Sequence, residues 1–162
     1  MKILMVYYSL EGNTSYAAER IAAKTGADIL RLVPKKAYSD KGFTKFLWGG
    51  KSALMKEEPE LECYDTDPYG YDVIIFGFPV WASRFAPPLR TFVNAHLSVI
   101  KGKKIYAFAC QAGSGGQKAL TQLSELIGRD FEYTAVFNDP KQKKNDKTDA
   151  EIDGFASRIV ND

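Results

Sequence analysis

KILMVYYSLEGNTS, which spans Lys2 to Ser15, is the segment that decides the fold of this chain. The apolar run from Ile3 to Tyr8 predicts a buried strand, and an Ala-rich helical pattern begins directly after the Gly12 turn. Such a turn directs backbone N–H groups and short hydroxyls toward one point, at the positive end of the helix dipole. The segment therefore predicts a phosphate site. The alternative is an ordinary N-capped helix, since Asn, Thr and Ser are favoured there anyway.

Two common phosphate loops are excluded by this sequence. A Walker loop requires G-x-x-x-x-G-K-[ST], but no Lys or Arg lies between Ser9 and Ser15. A dinucleotide loop requires G-x-G-x-x-G after the strand, but only Gly12 is present. We therefore expect a site that neutralises a phosphate with hydroxyls and amides instead of a side-chain cation.

Length and composition indicate one domain over residues 1–162, with 45% hydrophobic residues and a formal net charge of +2. No apolar run approaches the ~20 residues of a membrane span, and no signal-peptide pattern is present. The two cysteines, Cys63 and Cys110, are far apart and are expected to be unpaired thiols. We expect a cytoplasmic protein. His96 is the only histidine, and we expect it on the surface of a helix rather than as a metal ligand or base. The scattered lysines are expected at the ends of loops and do not indicate a nucleic-acid surface.

Strand and helix patterns alternate along the chain. A broken helix is also expected around Phe43 to Leu54, and a capping box from Thr148 to Glu151 predicts the start of the last helix. The five predicted strands cover Ile3–Tyr8, Asp28–Val33, Tyr71–Phe78, Lys104–Cys110 and Phe131–Phe137.

This alternation predicts an α/β fold in which a parallel sheet is covered by helices on both faces. Five strands in one domain favour a doubly wound three-layer sandwich with strand order 2-1-3-4-5. Ligands of such sheets bind outside the carboxyl ends of strands one and three, where the strand order reverses.

Two further loops leave strands three and four at that edge. The first is GFPVWAS, Gly77 to Ser83, where Pro79 is expected to end the strand and Trp81 to offer a flat surface to a ligand. The alternative is that Trp81 folds back over the end of the sheet. The second is CQAGSGG, Cys110 to Gly116, whose glycines would let the backbone approach a ligand closely, although Gly-rich turns are common at this position.

Together these loops resemble those of the flavodoxin family. SLEGNT, Ser9 to Thr14, is similar to the phosphate motif [ST]-x-x-G-x-[ST]. GFPVWA with APPL, Ala86 to Leu89, resembles the second loop and helix start, and Cys110 to Gly116 resembles the third loop. The resemblance covers nearly the whole chain. Phe131 to Phe137 is uninterrupted, as in short-chain flavodoxins. Flavodoxin with FMN is the standard example of this strand order, so the order is not independent support.

The resemblance implies non-covalent FMN, with the phosphate on the first loop and the ring between the second and third. It implies no catalytic residue and no metal. The cofactor-binding residues that it implies are Ser9, Leu10, Glu11, Gly12, Asn13, Thr14, Ser15, Pro79, Val80, Trp81, Ala82, Ser83, Cys110, Gln111, Ala112, Gly113 and Gly116.

Two features depart from the carriers of this family. Carrier flavodoxins are strongly acidic, whereas this chain has a net charge of +2. Many carriers also shield the ring with an aromatic residue of the third loop, but residues 111–116 contain none. One ring face is then open to a substrate unless Tyr38, Phe43 or Trp48 covers it.

Two functions follow from the resemblance. The first is an electron-transfer flavoprotein that serves redox partner proteins, as a monomer or weak dimer. The alternative is an FMN-dependent NAD(P)H or quinone reductase. A phosphoryl-accepting signalling domain would need acidic residues where Ser9 and Pro79 stand, and a low-molecular-weight phosphatase would need C-x₅-R, so neither is expected.

Overall fold

The computed structural model describes residues 1–38 and 56–162. The broken helix that the sequence predicts around Phe43 to Leu54 lies outside the described residues. The described strands are β1 (Ile3–Tyr7), β2 (Asp28–Arg31), β3 (Val73–Trp81), β4 (Arg84–Phe85), β5 (Lys104–Gln111) and β6 (Tyr133–Asn138). The described α-helices are α1 (Asn13–Thr25), α2 (Pro87–Ile100), α3 (Gly116–Ile127) and α4 (Asp146–Asn161), and a 3₁₀ turn covers Pro68–Gly70.

The parallel strands lie in the order β2-β1-β3-β5-β6, and β4 pairs antiparallel with the end of β3. The predicted order 2-1-3-4-5 is confirmed for the five parallel strands. The order reverses between β1 and β3, so their carboxyl ends leave a crevice at that point.

Helices cover both faces of the sheet because successive strand residues point to opposite sides. Along β1, Met5 packs in the core with α1 and α4, whereas Val6 packs in the core with α2 and α3. Both cores are apolar, and Met5 and Val6 are fully buried. Every central strand is therefore apolar on both faces, which explains the continuous hydrophobic runs in the sequence.

Pro79 does not end β3, contrary to the sequence prediction. It lies within the strand and is in register with Cys110 of β5. Gly77 accepts a hydrogen bond from Tyr8 N on the β1 side, at 3.1 Å. Pro79, two residues later, faces the same side, but β1 has already ended at Tyr7. No strand on that side would accept a hydrogen bond from a backbone N–H at position 79, so the proline is tolerated there.

The sequence patterns did not predict the short hairpin that β3 forms with β4. Trp81 pairs with Arg84 across a two-residue turn whose central residues, Ala82 and Ser83, have φ of 49° and 59°. Turns of this kind usually contain Asn-Gly or Gly, so Ala-Ser gives no hairpin signal. The hairpin fixes the position of Trp81 at the switch point.

The N-cap of the last helix lies three residues before the predicted capping box. Its N-cap is Asn145, whose side chain accepts a hydrogen bond from Thr148 N at 2.9 Å. Thr148 is thus a residue of the first turn, not the cap, because Asn in an extended conformation is an equally good cap. Within residues 1–38 and 56–162, no helix has the length and apolar character that crossing a membrane requires.

Candidate functional site

A cavity of about 510 Å³ opens at the carboxyl edge of the sheet, above β1, β3 and β5. Its walls come from the first loop, the Trp81 hairpin, the end of β5 and the loop between β6 and α4. The lining residues are Ser9, Leu10, Glu11, Asn13, Thr14, Pro79, Val80, Trp81, Ala82, Cys110, Gln111, Ala112, Asp139 and Gln142.

The first loop wraps around the Ser9 side chain. Ser9 Oγ accepts hydrogen bonds from Gly12 N and Ser15 N, both at 3.2 Å. Gly12 is the N-cap of α1, with φ of 98° and no side chain to satisfy the helix N-terminus. The other N–H groups of the first turn have no partner within the helix, so they remain available to an anion.

Two hydroxyls at this helix start are buried without a hydrogen-bond partner among the described residues. They are Thr14 Oγ1 and Ser15 Oγ. Thr14 is only 1% exposed and lines the cavity. A buried hydroxyl without a partner is unfavourable by about 1–3 kcal/mol. The orphaned hydroxyl of Thr14 therefore indicates a ligand with acceptor atoms at this point.

The loop from Asp139 to Asn145 is tied onto the first loop by Asn13. Asn13 Oδ1 accepts hydrogen bonds from Lys141 N at 2.9 Å and Gln142 N at 3.3 Å. Asn13 Nδ2 donates to Gln142 Oε1 at 2.9 Å. Asp139 and Gln142 are lining residues that the sequence analysis missed, because their only signal was a Lys-rich turn far along the chain.

A cation also lies at this helix start, although the sequence predicted a site without one. The side chain of Lys141 packs over Gly12, with Nζ only 2.9 Å from the point where a Cβ would stand. Any larger residue at position 12 would displace the lysine. The ammonium group comes from a segment 128 residues away from Asn13, which is why inspection of the first loop could not find it.

Trp81 forms an aromatic group with Tyr8 and Tyr38. Its ring lies edge-to-face on both, with centroid distances of 5.6 and 5.1 Å. Tyr8 is buried, and this burial is the main reason that its pKa lies well above the ordinary value. The two tyrosines pack against Trp81, which lines the cavity.

Two glycines of the third loop, Gly115 and Gly116, pack closely against neighbouring segments. Gly115 has φ of 94°, and a Cβ there would lie 2.8 Å from Ser83 Cα. Gly116 N donates to Gln111 Oε1 at 2.8 Å, and Gln111 Nε2 donates to Asn138 Oδ1 at 2.9 Å. The loop is therefore locked against the Trp81 hairpin and β6.

Cys110 and Asp139 are titratable residues of the cavity wall, and both are constrained by their surroundings. Burial raises the pKa of the Cys110 thiol to about 12, so it is neutral at physiological pH. The Asp139 carboxylate is paired with Lys143 at 2.9 Å. No group of three or more potential metal ligands occurs within the described ranges. The lone His96 lies away from the cavity, with Nε2 at 2.9 Å from Tyr64 Oη.

Most of the residues that the resemblance implied converge on this cavity. Twelve of the seventeen line it. Gly12 and Ser15 do not line the cavity, but their backbone N–H groups bind Ser9 Oγ on the first loop. Ser83 packs against Gly115, and Gly116 packs against β6. Gly113 is exposed, and no atom lies within 4 Å of the point where its Cβ would stand.

Comparison with known proteins gives a consistent assignment. The sequence profile of the family described as Flavodoxin matches residues 2–153. No curated protein sequence matches significantly. Among solved structures, a candidate flavoprotein from Bacteroides eggerthii DSM 20697 has a TM-score of 0.79 at 24% identity, with 98% of each chain covered.

Two other solved structures share the fold. A flavoprotein from Lactobacillus acidophilus NCFM, in complex with FMN, has a TM-score of 0.74 at 21% identity and covers 96% of this chain and 98% of its own. A flavodoxin, WrbA-like protein from Agrobacterium tumefaciens has a TM-score of 0.64 at 15% identity, with 99% and 95% covered.

Proposed function

The chain belongs to the flavodoxin family, and we propose that it is a single-domain flavoprotein that binds FMN non-covalently and transfers electrons between redox partners. The flavoprotein from Lactobacillus acidophilus NCFM, which shares this fold, was crystallised with FMN. The resemblance of the three loops supports the same cofactor here. A single phosphate turn favours FMN over a cofactor with a pyrophosphate.

The observation that carries this proposal is the orphaned hydroxyl of Thr14. It is buried at the start of α1, inside the cavity, and makes no regular hydrogen bond among the described residues; the neighbouring Cys110 thiol is only a weak partner for it. A phosphate oxygen of FMN would satisfy it, together with the unpaired amides of the first helical turn. The hydroxyl of Ser15 would serve the same phosphate.

The other end of the cavity suits a planar ring. Trp81 contributes an indole ring, and Pro79 to Ala82 line the same wall. Gln111 and Ala112 form the opposite edge, where backbone groups can bind the polar rim of the ring. Aromatic contact of this kind favours a flat partner.

When bound, FMN supplies the redox chemistry, because it can accept one or two electrons. The protein holds the phosphate and orients the ring against Trp81. We assign no nucleophile or base to Cys110 or Asp139, because the Cys110 thiol is neutral and the Asp139 carboxylate is paired with Lys143. The exposed Cys63 and buried Cys110, both unpaired, support a reducing compartment such as the cytoplasm.

The carrier function is favoured because the sequence contains no recognisable NAD(P)H motif. A net charge of +2 gives little electrostatic steering. We therefore expect docking of a partner through apolar contact near Trp81, by a monomer or weak dimer. The rate of electron transfer should then depend only weakly on salt.

One observation favours a reductase as the second candidate. The exposed part of the third loop, Ala112 to Ser114, contains no aromatic residue to shield the ring. Tyr38 packs against Trp81 and is not among the lining residues, and Phe43 and Trp48, the other two candidates to cover the ring, lie outside the described residues. The ring face opposite Trp81 could then admit NAD(P)H or a quinone.

Anaerobic addition of NADPH or NADH to the FMN-loaded protein separates the two functions. We expect the yellow absorbance to persist until dithionite is added. Bleaching by NAD(P)H, with turnover of a quinone at about 1 s⁻¹ or faster, would establish the reductase instead.

A conservative variant tests the cofactor site itself. Thr14→Val keeps the shape of the side chain and removes the orphaned hydroxyl. We expect its FMN affinity to fall roughly tenfold, the scale of a hydrogen bond to a charged group, while riboflavin affinity stays the same. Equal affinity of the wild-type protein for riboflavin and FMN would refute the phosphate assignment.

A further inference from the structure

Lys141 is the charged residue that the proposed phosphate site acquires from the far end of the chain. It lies in the loop between β6 and α4, yet its side chain extends across Gly12, the N-cap of α1. Its Cδ and Nζ lie 3.2 and 2.9 Å from the position of a Cβ on Gly12. A Cβ at position 12 would require this flexible side chain to move, so the lysine lies directly against the first loop.

Lys141 differs from its neighbouring lysines in the contacts of its ammonium group. Within the part of the chain that the structure describes, no carboxylate forms an ion pair with its Nζ. The neighbouring lysines of the loop differ in this respect. Lys143 is paired with Asp139 at 2.9 Å, and Lys144 lies over the ring of Tyr16 at 5.3 Å.

The backbone holds this lysine in place. Lys141 N donates to Asn13 Oδ1, on the first residue of α1, at 2.9 Å. Asp139 N donates to Gln111 O at 2.9 Å, and Lys143 N donates to Asp139 O at 2.7 Å. The loop is thus anchored to both β5 and α1, and the root of the Lys141 side chain is fixed close to the start of α1, where the orphaned hydroxyl of Thr14 lies.

We propose that Lys141 is a phosphate ligand that makes the site selective for the phosphorylated flavin. This inference rests on the proposed function. A phosphate monoester brings up to two negative charges to this helix start. Hydroxyls and amides can donate hydrogen bonds to its oxygens but carry no net charge. Lys141 provides the compensating charge, and riboflavin, which lacks the phosphate, gains nothing from it.

The test compares FMN and riboflavin binding to three variants of the full chain. Lys141→Ala removes the charge, Lys141→Arg keeps it, and Lys147→Ala removes one positive charge from an exposed site on α4. We expect Lys141→Ala to weaken FMN about five- to tenfold and riboflavin less than twofold. Lys141→Arg should stay within about threefold of wild type, and Lys147→Ala should leave the ratio of the two affinities unchanged.

Salt provides a second readout. Raising ionic strength should weaken FMN binding to the wild-type protein more than to Lys141→Ala, since the lost interaction is electrostatic. Thermal unfolding of each cofactor-free variant shows whether the fold is intact.

The possible outcomes test the role of Lys141 separately from the proposed FMN-binding function. If the wild-type protein binds neither flavin, the proposed function fails. If it binds FMN but Lys141→Ala retains the wild-type preference over riboflavin, the function stands and the role of Lys141 is refuted. A loss in Lys147→Ala equal to that in Lys141→Ala would also refute it, because the effect would then come from overall charge.

Discussion

Replacing Asn13 should separate the two tasks of this residue, which are to anchor the loop before α4 and to face the proposed phosphate. Its side chain is 9% exposed and makes three hydrogen bonds, with Lys141 N, Gln142 N and Gln142 Oε1. A hydrogen bond contributes about 0.5–1.5 kcal/mol net. Asn13→Ala should therefore lower the free energy of unfolding by about 1.5–4.5 kcal/mol, the sum over these three bonds.

Asn13→Asp provides the contrast. Its carboxylate still accepts hydrogen bonds from Lys141 N and Gln142 N, and it loses only the bond that Asn13 Nδ2 donates. A negative charge in the first turn of α1 also stabilises the helix by about 0.3–1 kcal/mol. We expect the stability of Asn13→Asp to lie within about 1 kcal/mol of wild type, since the gain offsets most of the loss. Its affinity for FMN should nevertheless be lower than that of Asn13→Ala, because the carboxylate repels the phosphate.

Urea unfolding of the cofactor-free proteins, followed by circular dichroism, gives the stabilities, and fluorescence titration gives the affinities. Equal stability of Asn13→Ala and wild type would show that the loop is not held by these hydrogen bonds. FMN affinity in Asn13→Asp that matches the wild-type value would place the phosphate elsewhere.

Three further predictions concern packing, the ring and pH. Gly115→Ala should cost about 2–4 kcal/mol of unfolding free energy and Gly26→Ala only about 1, because a Cβ at Gly115 meets the hairpin backbone whereas one at Gly26 meets nothing; equal losses in urea unfolding would contradict this. FMN should quench the indole emission strongly, and Trp81→Ala should remove most of that quenching and leave the emission of Trp48; unchanged quenching would reject the contact. Burial lowers the pKa of His96, the only histidine, so the neutral ring is favoured in the folded state. The free energy of unfolding should therefore fall as pH drops below about 6.5, the pKa of a histidine in the unfolded chain. Between pH values of about 7.5 and 5.5, His96→Gln should lose less stability than the wild-type protein. An identical pH dependence in the two proteins would count against this.

The sheet was predictable because its signals are local. The apolar runs and intervening helical patterns give the strand number and order, and the SLEGNT segment marks the first loop. Pro79 was misassigned because its effect depends on where β1 ends, which is a property of two strands together. The turn at Ala82 and Ser83 was missed because neither residue type favours φ above zero.

The site was predictable only where it is built from the loops that follow β1, β3 and β5. Lys141 and Gln142 reach it from the loop between β6 and α4, through hydrogen bonds to Asn13. Nothing in the sequence around them marks this contact, since a Lys-rich turn is equally typical of a solvated loop. Contacts between distant segments depend on the folded geometry, and a single sequence does not encode them in any local pattern.

The Asn13 anchor also has a consequence for synthesis of the protein. Asn13 and Gln142 are 129 residues apart, so translation at about 5–20 residues per second separates them by on the order of ten seconds. During that interval the nascent chain carries the first loop without the segment that completes it. A ligand that needs both segments cannot stabilise the growing chain, and it can protect the protein from proteolysis only after residues 139–142 have left the ribosome and docked.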